Sequence, residues 1–536
     1  MGGVLTLRIS VGAMIFRDAL APRTHAMGHP NPRFGLAVGP ALAILANWRW
    51  PGGRATSFKD LSMAWNAKRQ PSVGDKGSLC NGTVMRRSSL VPLALSLAFA
   101  LTACGDRAKL PLAASYGPVP QLPPPVSTVL PTIAIADAEG WPAGLTPVPA
   151  PGFSVSAFAA GLDHPRWVYA LPNGDVLVAE TDAPPQPKAD DTIKGFFMKL
   201  FMKKAGSGLG SANRITLLRD ADGDGVAETR SPFITGLNSP FGMALVGSDL
   251  YIANTDAVLR FPYERGQLRI TAPAAKLIDL PAGTRNRHWT KSLVASPDGT
   301  KLYVGVGSDS NVGEYGMDAE TGRAAVWELD RHTGAHRILA YGLRNPVGMA
   351  FEPTSGRLWV TVNERDELAS DLVPDYMTAL VDGGFYGWPY SYFGQNLDAR
   401  PEPQRPDLTQ RAIVPDYALG AHTASLGLTF GSSAALGHGA FVGQRGSWNR
   451  RPPSGYGVIF VPFAAGRPSG PPRNVLTGFL GEGGKAYGRP VGVEFDTHGA
   501  LLLADDVGRT VWRVVGAREA AKCSRALRLN AIRSLS

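Results

Sequence analysis

The chain has 536 residues, 54 Lys and Arg against 44 Asp and Glu, and a formal net charge of +10. Residues 1–104 hold 12 basic and 3 acidic side chains and residues 517–536 hold 5 and 1, so the body from 105 to 516 carries 37 against 40, a net of −3. A nucleic-acid reader keeps its positive charge on the folded domain, so that class is excluded. Disulfide scaffolds and thiolate metal sites are excluded too, because Cys80, Cys104 and Cys523 all lie outside that body or at its edge.

Residues 1–84 are Arg-rich, poor in acids and without periodicity. They read as an N-terminal extension that is disordered or results from a misplaced start. The apolar run Leu90–Ala103 follows Met85-Arg86-Arg87 and ends at Cys104. Fourteen apolar residues are short for a membrane-crossing helix but suit a signal-peptide core behind a positive n-region. Residues 85–104 therefore read as a bacterial lipoprotein signal, with Cys104 as the lipid anchor and the periplasmic side of a membrane as the location. Residues 105–151 are Pro-rich and read as a linker.

From 152 to 516 one pattern recurs: polar residues, often a Pro, a small residue, an alternating apolar strand, a Gly turn and a second apolar strand. Its six heads are His164-Pro165-Arg166, Asn238-Ser239-Pro240, His288-Trp289-Thr290, Arg344-Asn345-Pro346, His422-Thr423-Ala424 and Arg489-Pro490-Val491. Arg166 and Arg489 are 323 residues apart, about 65 per interval. Strands repeating at such a period predict an all-β, six-bladed β-propeller. Residues 517–536 form a basic tail.

In a propeller, residues just before each inner strand converge on one mouth of the central channel. That ring holds His164, His288, Arg344, Asn345 and Arg489, a cationic set on a slightly acidic body, which points to a small anionic ligand. An insertion at 191–204 spaces Ile193, Phe196, Phe197, Leu200 and Phe201 as on a helix, with Lys194, Lys199, Lys203 and Lys204 opposite. It reads as a lid helix or as a basic amphipathic helix touching anionic lipid. Asp220, Asp222 and Asp224 imitate a calcium loop, but Ser231 stands where its last ligand belongs, so a hairpin turn is expected. His332 and His336 fall on a strand turn, and His438 in a glycine-rich turn.

The stretches DHPRWVYALPNGDVLVAE, NRHWTKSLVASPDGTKLYVGVGS, YGLRNPVGMAFEP, VNERDELASDLVPDYMT, GSWNRRPPSGYGV and YGRPVGVEF resemble soluble pyrroloquinoline-quinone (PQQ)-dependent aldose dehydrogenases, specifically the glucose/sorbosone dehydrogenase-like group often labelled L-sorbosone dehydrogenase. The resemblance implies oxidation of an aldose or sorbosone-like sugar to the lactone or acid. It makes His288 the general base, with Arg344 and Asn345 holding the quinone and polarising its reacting carbonyl. Arg489 and Arg450 become further quinone contacts, with Arg451 as an alternate to Arg450. Arg166 joins them on the repeat alone. Calcium would take the backbone carbonyls of Glu364 and Arg365, although this chain has acid and base where glucose-oxidising members have Gly-Pro. Arg287 stands where those members have Asp, so glucose specificity does not carry over. The implied partners are a sugar, a separate electron acceptor (a cytochrome or the quinone pool) and, through Cys104, a membrane. A metal-dependent lactonase or a non-enzymatic binding propeller is the alternative.

Overall fold

The computed structural model describes residues 106–126, 132–185, 204–206 and 210–516. The leader with Cys104, the 191–203 part of the amphipathic insertion and the basic tail lie outside them. Six antiparallel sheets are arranged as the blades of a propeller. Their inner strands are Pro165–Ala170, Met243–Val246, Lys291–Ala295, Pro346–Phe351, Ser425–Ser433 and Pro490–Phe495. Each begins at the head sequence that marks its repeat. Blade six is completed by a strand from the other end of the domain: Phe153–Ala160 pairs with Thr510–Gly516 and closes the ring. Closure of this kind leaves the circle without a free edge at its seam.

Blades are apolar on both faces, and the core lies between them. Each of six buried clusters joins one blade to the next, for example Leu293 and Val304 with Tyr251 and Ala253, or Val458 and Phe460 with Leu501 and Leu503. The small residue in each head has a packing cause. A Cβ on Gly242 would overlap the Leu293 amide, on Gly348 the Leu426 carbonyl, and on Gly427 the Val491 carbonyl. Neighbouring inner strands thus touch backbone to backbone at glycine, which sets how tightly six blades close around the axis.

Just below the heads, one apolar residue per blade fills the axis. Trp167, Phe241, Trp289, Val347 and Val491 are buried in one cluster, with Leu426 packed against it. Trp167 and Phe241 have ring centroids 4.7 Å apart and Phe241 and Trp289 6.2 Å. This plug gives the channel mouth an apolar floor.

The Pro-rich segment is laid against the propeller. Tyr116–Gly117 extends the sheet of blade four at Tyr417–Ala421, and Val148–Pro149 extends blade five at Arg473–Thr477. Between these points the described residues are tied to the loops of blades four to six, with Val126 N bonded to Leu368 O, Ala134 N to Trp448 O and Glu139 N to Ala486 O. We refer to residues 106–149 as the strap. Among the described residues no helix is long and apolar enough to cross a membrane.

Candidate functional site at the channel mouth

The inner strand of a blade starts at the mouth, and the second strand, being antiparallel, ends there. Two rings of residues therefore meet at one end of the channel: those before each inner strand and those just after each second strand. The first ring was legible from the heads. The second contributes Asp366, Arg445 and Asp506, which reasoning from the heads alone misses; Arg445 and Asp506 directly follow the strands Gly437–Gln444 and Leu501–Asp505, and Asp366 is the fourth residue after Leu358–Val362.

The heads are fixed by buried carboxylates at their base. Asp505 accepts from Arg489 N at 2.7 Å, Gly508 N at 2.9 Å and Trp141 Nε1 at 2.7 Å. Burial pushes its carboxyl up to about 6. Asp375 does the same for blades four and five, accepting from Glu364 N and Ser425 N, and burial raises it to about 7.

One side of the mouth is built on Asp506. It accepts from Arg166 Nη1, and from Arg445 Nε at 2.9 Å and Nη2 at 2.8 Å. Burial alone would raise this carboxyl, but the charges of Arg445, Arg166 and Arg489 hold it at about 2. Arg489 is buried, donating to Ala136 O of the strap at 3.1 Å and to Arg445 O at 3.4 Å, with its guanidinium 5.0 Å from the Tyr456 ring. Arg166 lies 5.4 Å from the Trp289 ring. The Nε atoms of Arg166 and Arg489 are buried without a hydrogen-bond partner among the described residues. Three guanidiniums thus gather around Asp506, with Asp182 also acting on Arg166, and Asp506 Oδ1 is buried and unpaired like the two Nε atoms.

The other side is built on Asp366. Its Oδ1 accepts from Asn449 Nδ2 at 2.9 Å and lies 4.0 Å from His422 Nδ1; its Oδ2 accepts from Arg344 Nη2 at 3.1 Å and lies 3.9 Å from Arg287. His288 sits beside this group, half-buried, with Nδ1 2.7 Å from Ser308 O and 3.0 Å from Ser308 Oγ. Bonding to a carbonyl puts the proton on Nδ1 and leaves the Nε2 lone pair as acceptor. Nε2 has no partner among the described residues. Burial, then the charges of Arg344 and Arg287, push the imidazole well below its usual range, so it is neutral at pH 7. Gly307 spaces His288 from Asn345: a Cβ there would overlap Asn345 Oδ1 and His288 Cβ. Asn345 Oδ1 is itself buried and unpaired.

Of the residues expected at the site, His288, Asn345, Arg489 and Arg166 are together at the mouth. Arg344 is there but saturated. All five of its N–H groups are used, by Asn311 O and Oδ1, Asn363 O, Glu364 O and Asp366 Oδ2. The expectation that its guanidinium holds a quinone therefore needs correcting, because no donor is left. Arg450 is turned to the strap side, donating to Pro452 O at 2.7 Å and to Asp371 Oδ1 at 3.3 Å; Asp371 Oδ2 in turn accepts from Lys109 N and Leu110 N. Arg451 donates to Ile133 O of the strap at 2.8 Å. The calcium expectation does not fit either. Glu364 O is taken by Arg344 Nη1 at 2.7 Å, and the buried guanidiniums of Arg344 and Arg365 put two positive charges beside the place where a divalent ion would sit. His164 lines a pocket of about 650 Å³ with Asp163, Ser211 and Arg509.

The decoys behave as turns. Asp220 accepts from Gly223 N and Gly225 N in the hairpin between Arg214–Arg219 and Thr229–Ile234, and the carboxylates of Asp220, Asp222, Asp224 and Glu228 lie within 4.8 Å of one another. His336 stacks on Trp327. His438, expected in a glycine-rich turn, is the second residue of the strand Gly437–Gln444 and is bonded to Glu352 at 2.9 Å.

The fold is a six-bladed propeller whose channel mouth gathers arginines above an apolar floor. The chain belongs to the TrAA12-like family, whose match covers residues 207–377 and 393–517. It is 28% identical over 219 residues to a pyrroloquinoline quinone-dependent pyranose dehydrogenase of Coprinopsis cinerea, a match spanning 33% of this chain and 30% of that protein. It is 21% identical over 411 residues to a pyrroloquinoline quinone-dependent sugar dehydrogenase of Hypocrea jecorina, spanning 67% of this chain and 87% of the other. The calcium structure of the Trichoderma reesei carbohydrate-active enzyme of family AA12 has the same fold, with a TM-score of 0.57 at 19% identity over 72% of this chain and 99% of that one.

Proposed function

We propose that the chain is a quinone-dependent sugar dehydrogenase in which PQQ is held on the Asp506 side of the mouth and His288 is the base. The observation that carries this reading is the pair of buried, unpaired guanidinium Nε atoms on Arg166 and Arg489 beside Asp506. Such donors suit a planar group bearing several carboxylates, and the curated relatives named above bind this quinone. PQQ, when bound, supplies a two-electron, hydride-accepting ring.

This chain's own residues supply the rest. Arg166, Arg445 and Arg489 provide the charge that holds an anion, and the plug of Trp167, Phe241 and Trp289 closes the site from below. His288 Nε2, neutral and unpaired, takes the hydroxyl proton of the anomeric carbon as its hydride departs, so an aldose leaves as the lactone. Arg287, 37% exposed at the rim, is placed to meet sugar hydroxyls. A sorbosone-like aldehyde, through its hydrate, is served by the same proton transfer. Electrons then pass to a separate acceptor. With Cys104 as a lipid anchor, the propeller faces the periplasm beside a membrane.

A metal-dependent lactonase requires carboxylate oxygens free for the metal, whereas Asp366 and Asp506 are both ion-paired with arginine here. The deciding experiment is titration of the purified chain with PQQ followed by dye reduction with a panel of aldoses and sorbosone. Binding with aldose-dependent reduction is expected; no binding and no reduction with any sugar defeats the reading.

A further inference from the structure

The place where the resemblance puts calcium is already occupied by a side chain. Five oxygens from two blades close on the Arg344 guanidinium: Asn311 O at 3.3 Å and Asn311 Oδ1 at 2.9 Å from the loop of blade three, and Asn363 O at 3.3 Å, Glu364 O at 2.7 Å and Asp366 Oδ2 at 3.1 Å from blade four. Carbonyls, an amide oxygen and one carboxylate are the donor set of a calcium site, which gathers six to eight such oxygens. Here they are spread to the longer distances and fork geometry of guanidinium hydrogen bonds. The cage is protected, since Arg344 is buried, and a guanidinium stays protonated at any working pH. A divalent ion beside it would meet a fixed positive charge and find Glu364 O engaged.

We propose that Arg344 is a built-in cation that takes the structural place of calcium, so that this site is organised without metal. Arg344 is then a positioning residue. It ties the loop at Asn311 to the 363–366 loop and holds Asp366, from which Asn449 and the rim residue Arg287 take their orientation. Trp388 Nε1, donating to Asn311 O at 2.9 Å, braces the same loop from behind.

The test uses the full chain carrying Asp222→Asn and Asp224→Asn, which removes the exposed acidic turn as a competing calcium binder. Isothermal titration with calcium chloride alone is expected to show no site up to millimolar concentration, and the melting temperature is expected to be unchanged by chelator. One calcium bound with micromolar affinity, and lost in Asp366→Asn, overturns the proposal. Arg344→Ala in the same background opens the cage; a calcium-dependent rise in melting temperature that Arg344 itself lacks is the supporting result. If that variant does not fold, Arg344→Lys replaces it: a point charge with fewer donors should melt lower than the parent, and an unchanged melting temperature counts against the proposal. A quinone titration, which rests on the reading above, adds an independent arm. Affinity with chelator and with calcium should agree within about twofold, and tightening by calcium of about tenfold or more contradicts the proposal. Absence of quinone binding in both conditions defeats the functional reading alone, because the metal-only titration still decides this one.

Discussion

Asp506 and Asp366 stand at the same mouth, each among arginines, and leave opposite surroundings. Around Asp506 the Nε atoms of Arg166 and Arg489 are buried and unpaired, and so is the carboxylate's own Oδ1. Around Asp366 the central guanidinium, that of Arg344, is saturated by protein oxygens, and what remains free is acceptors: the Nε2 lone pair of His288 and the amide oxygens of Asn345 and Asn449. The number of cations near a cleft therefore says little about anion binding. Donors left unpaired say more, because a buried N–H without a partner costs free energy that an arriving carboxylate recovers.

The comparison can be broken most sharply at His288. His288→Ala should lower kcat by about 10²- to 10⁴-fold while PQQ affinity, measured by equilibrium titration, stays close to the parent value. Loss of both would mean that the two sides are not separable. The next effect lies on the Asp506 side. Arg489→Ala or Arg166→Ala should each weaken quinone binding by about ten- to hundredfold, the range of one charged hydrogen bond at about 1.5–3 kcal/mol. Arg450→Ala, although the residue is an arginine of the same neighbourhood, should change quinone affinity by less than about threefold, because its contacts are Pro452 O and Asp371. Its effect should appear instead as faster proteolysis of the strap, whose Lys109 and Leu110 amides share Asp371.

The smallest expected effect is on pH dependence. Burial and the Arg344 and Arg287 charges depress His288, so the acid limb of kcat/KM should lie below the ordinary histidine range. Arg287→Gln removes one repelling charge and makes protonation easier. The acid limb should then move to higher pH, by a modest amount because Arg287 is partly exposed and screened by solvent. A limb that stays in place would separate His288 from the titrating step.

The propeller was legible because the blade heads share marks, though no single mark is in all six: glycine where inner strands touch in blades two, four, five and six, proline in blades one, two, four and six, and polar residues at the mouth. The closing strand Phe153–Ala160 carries none of these marks and showed itself only through its pairing with Thr510–Gly516. Half of the site followed from the same heads. Arg445, Asp506 and Asp366 belong to the other end of the blade hairpin, where no repeated word marks them. Saturation of Arg344 was not legible at all, since all five of its acceptors lie in the loops after second strands, away from the heads, and three are backbone carbonyls, which no side-chain pattern reveals. The strap was misjudged for a related reason. Its Pro-rich composition reads as a spacer, while its attachments run largely through main-chain groups such as Ile133 O and Ala136 O.

The central claim, that the Asp506 side holds the quinone while His288 acts beside it, is tested most directly by absorbance titration of the full chain with PQQ, followed by addition of an aldose. The account predicts saturable binding at one quinone per chain, weakened in Arg489→Ala, and bleaching by sugar only when His288 is intact. Equal binding in Arg489→Ala and the parent, or no binding with or without calcium, would contradict it.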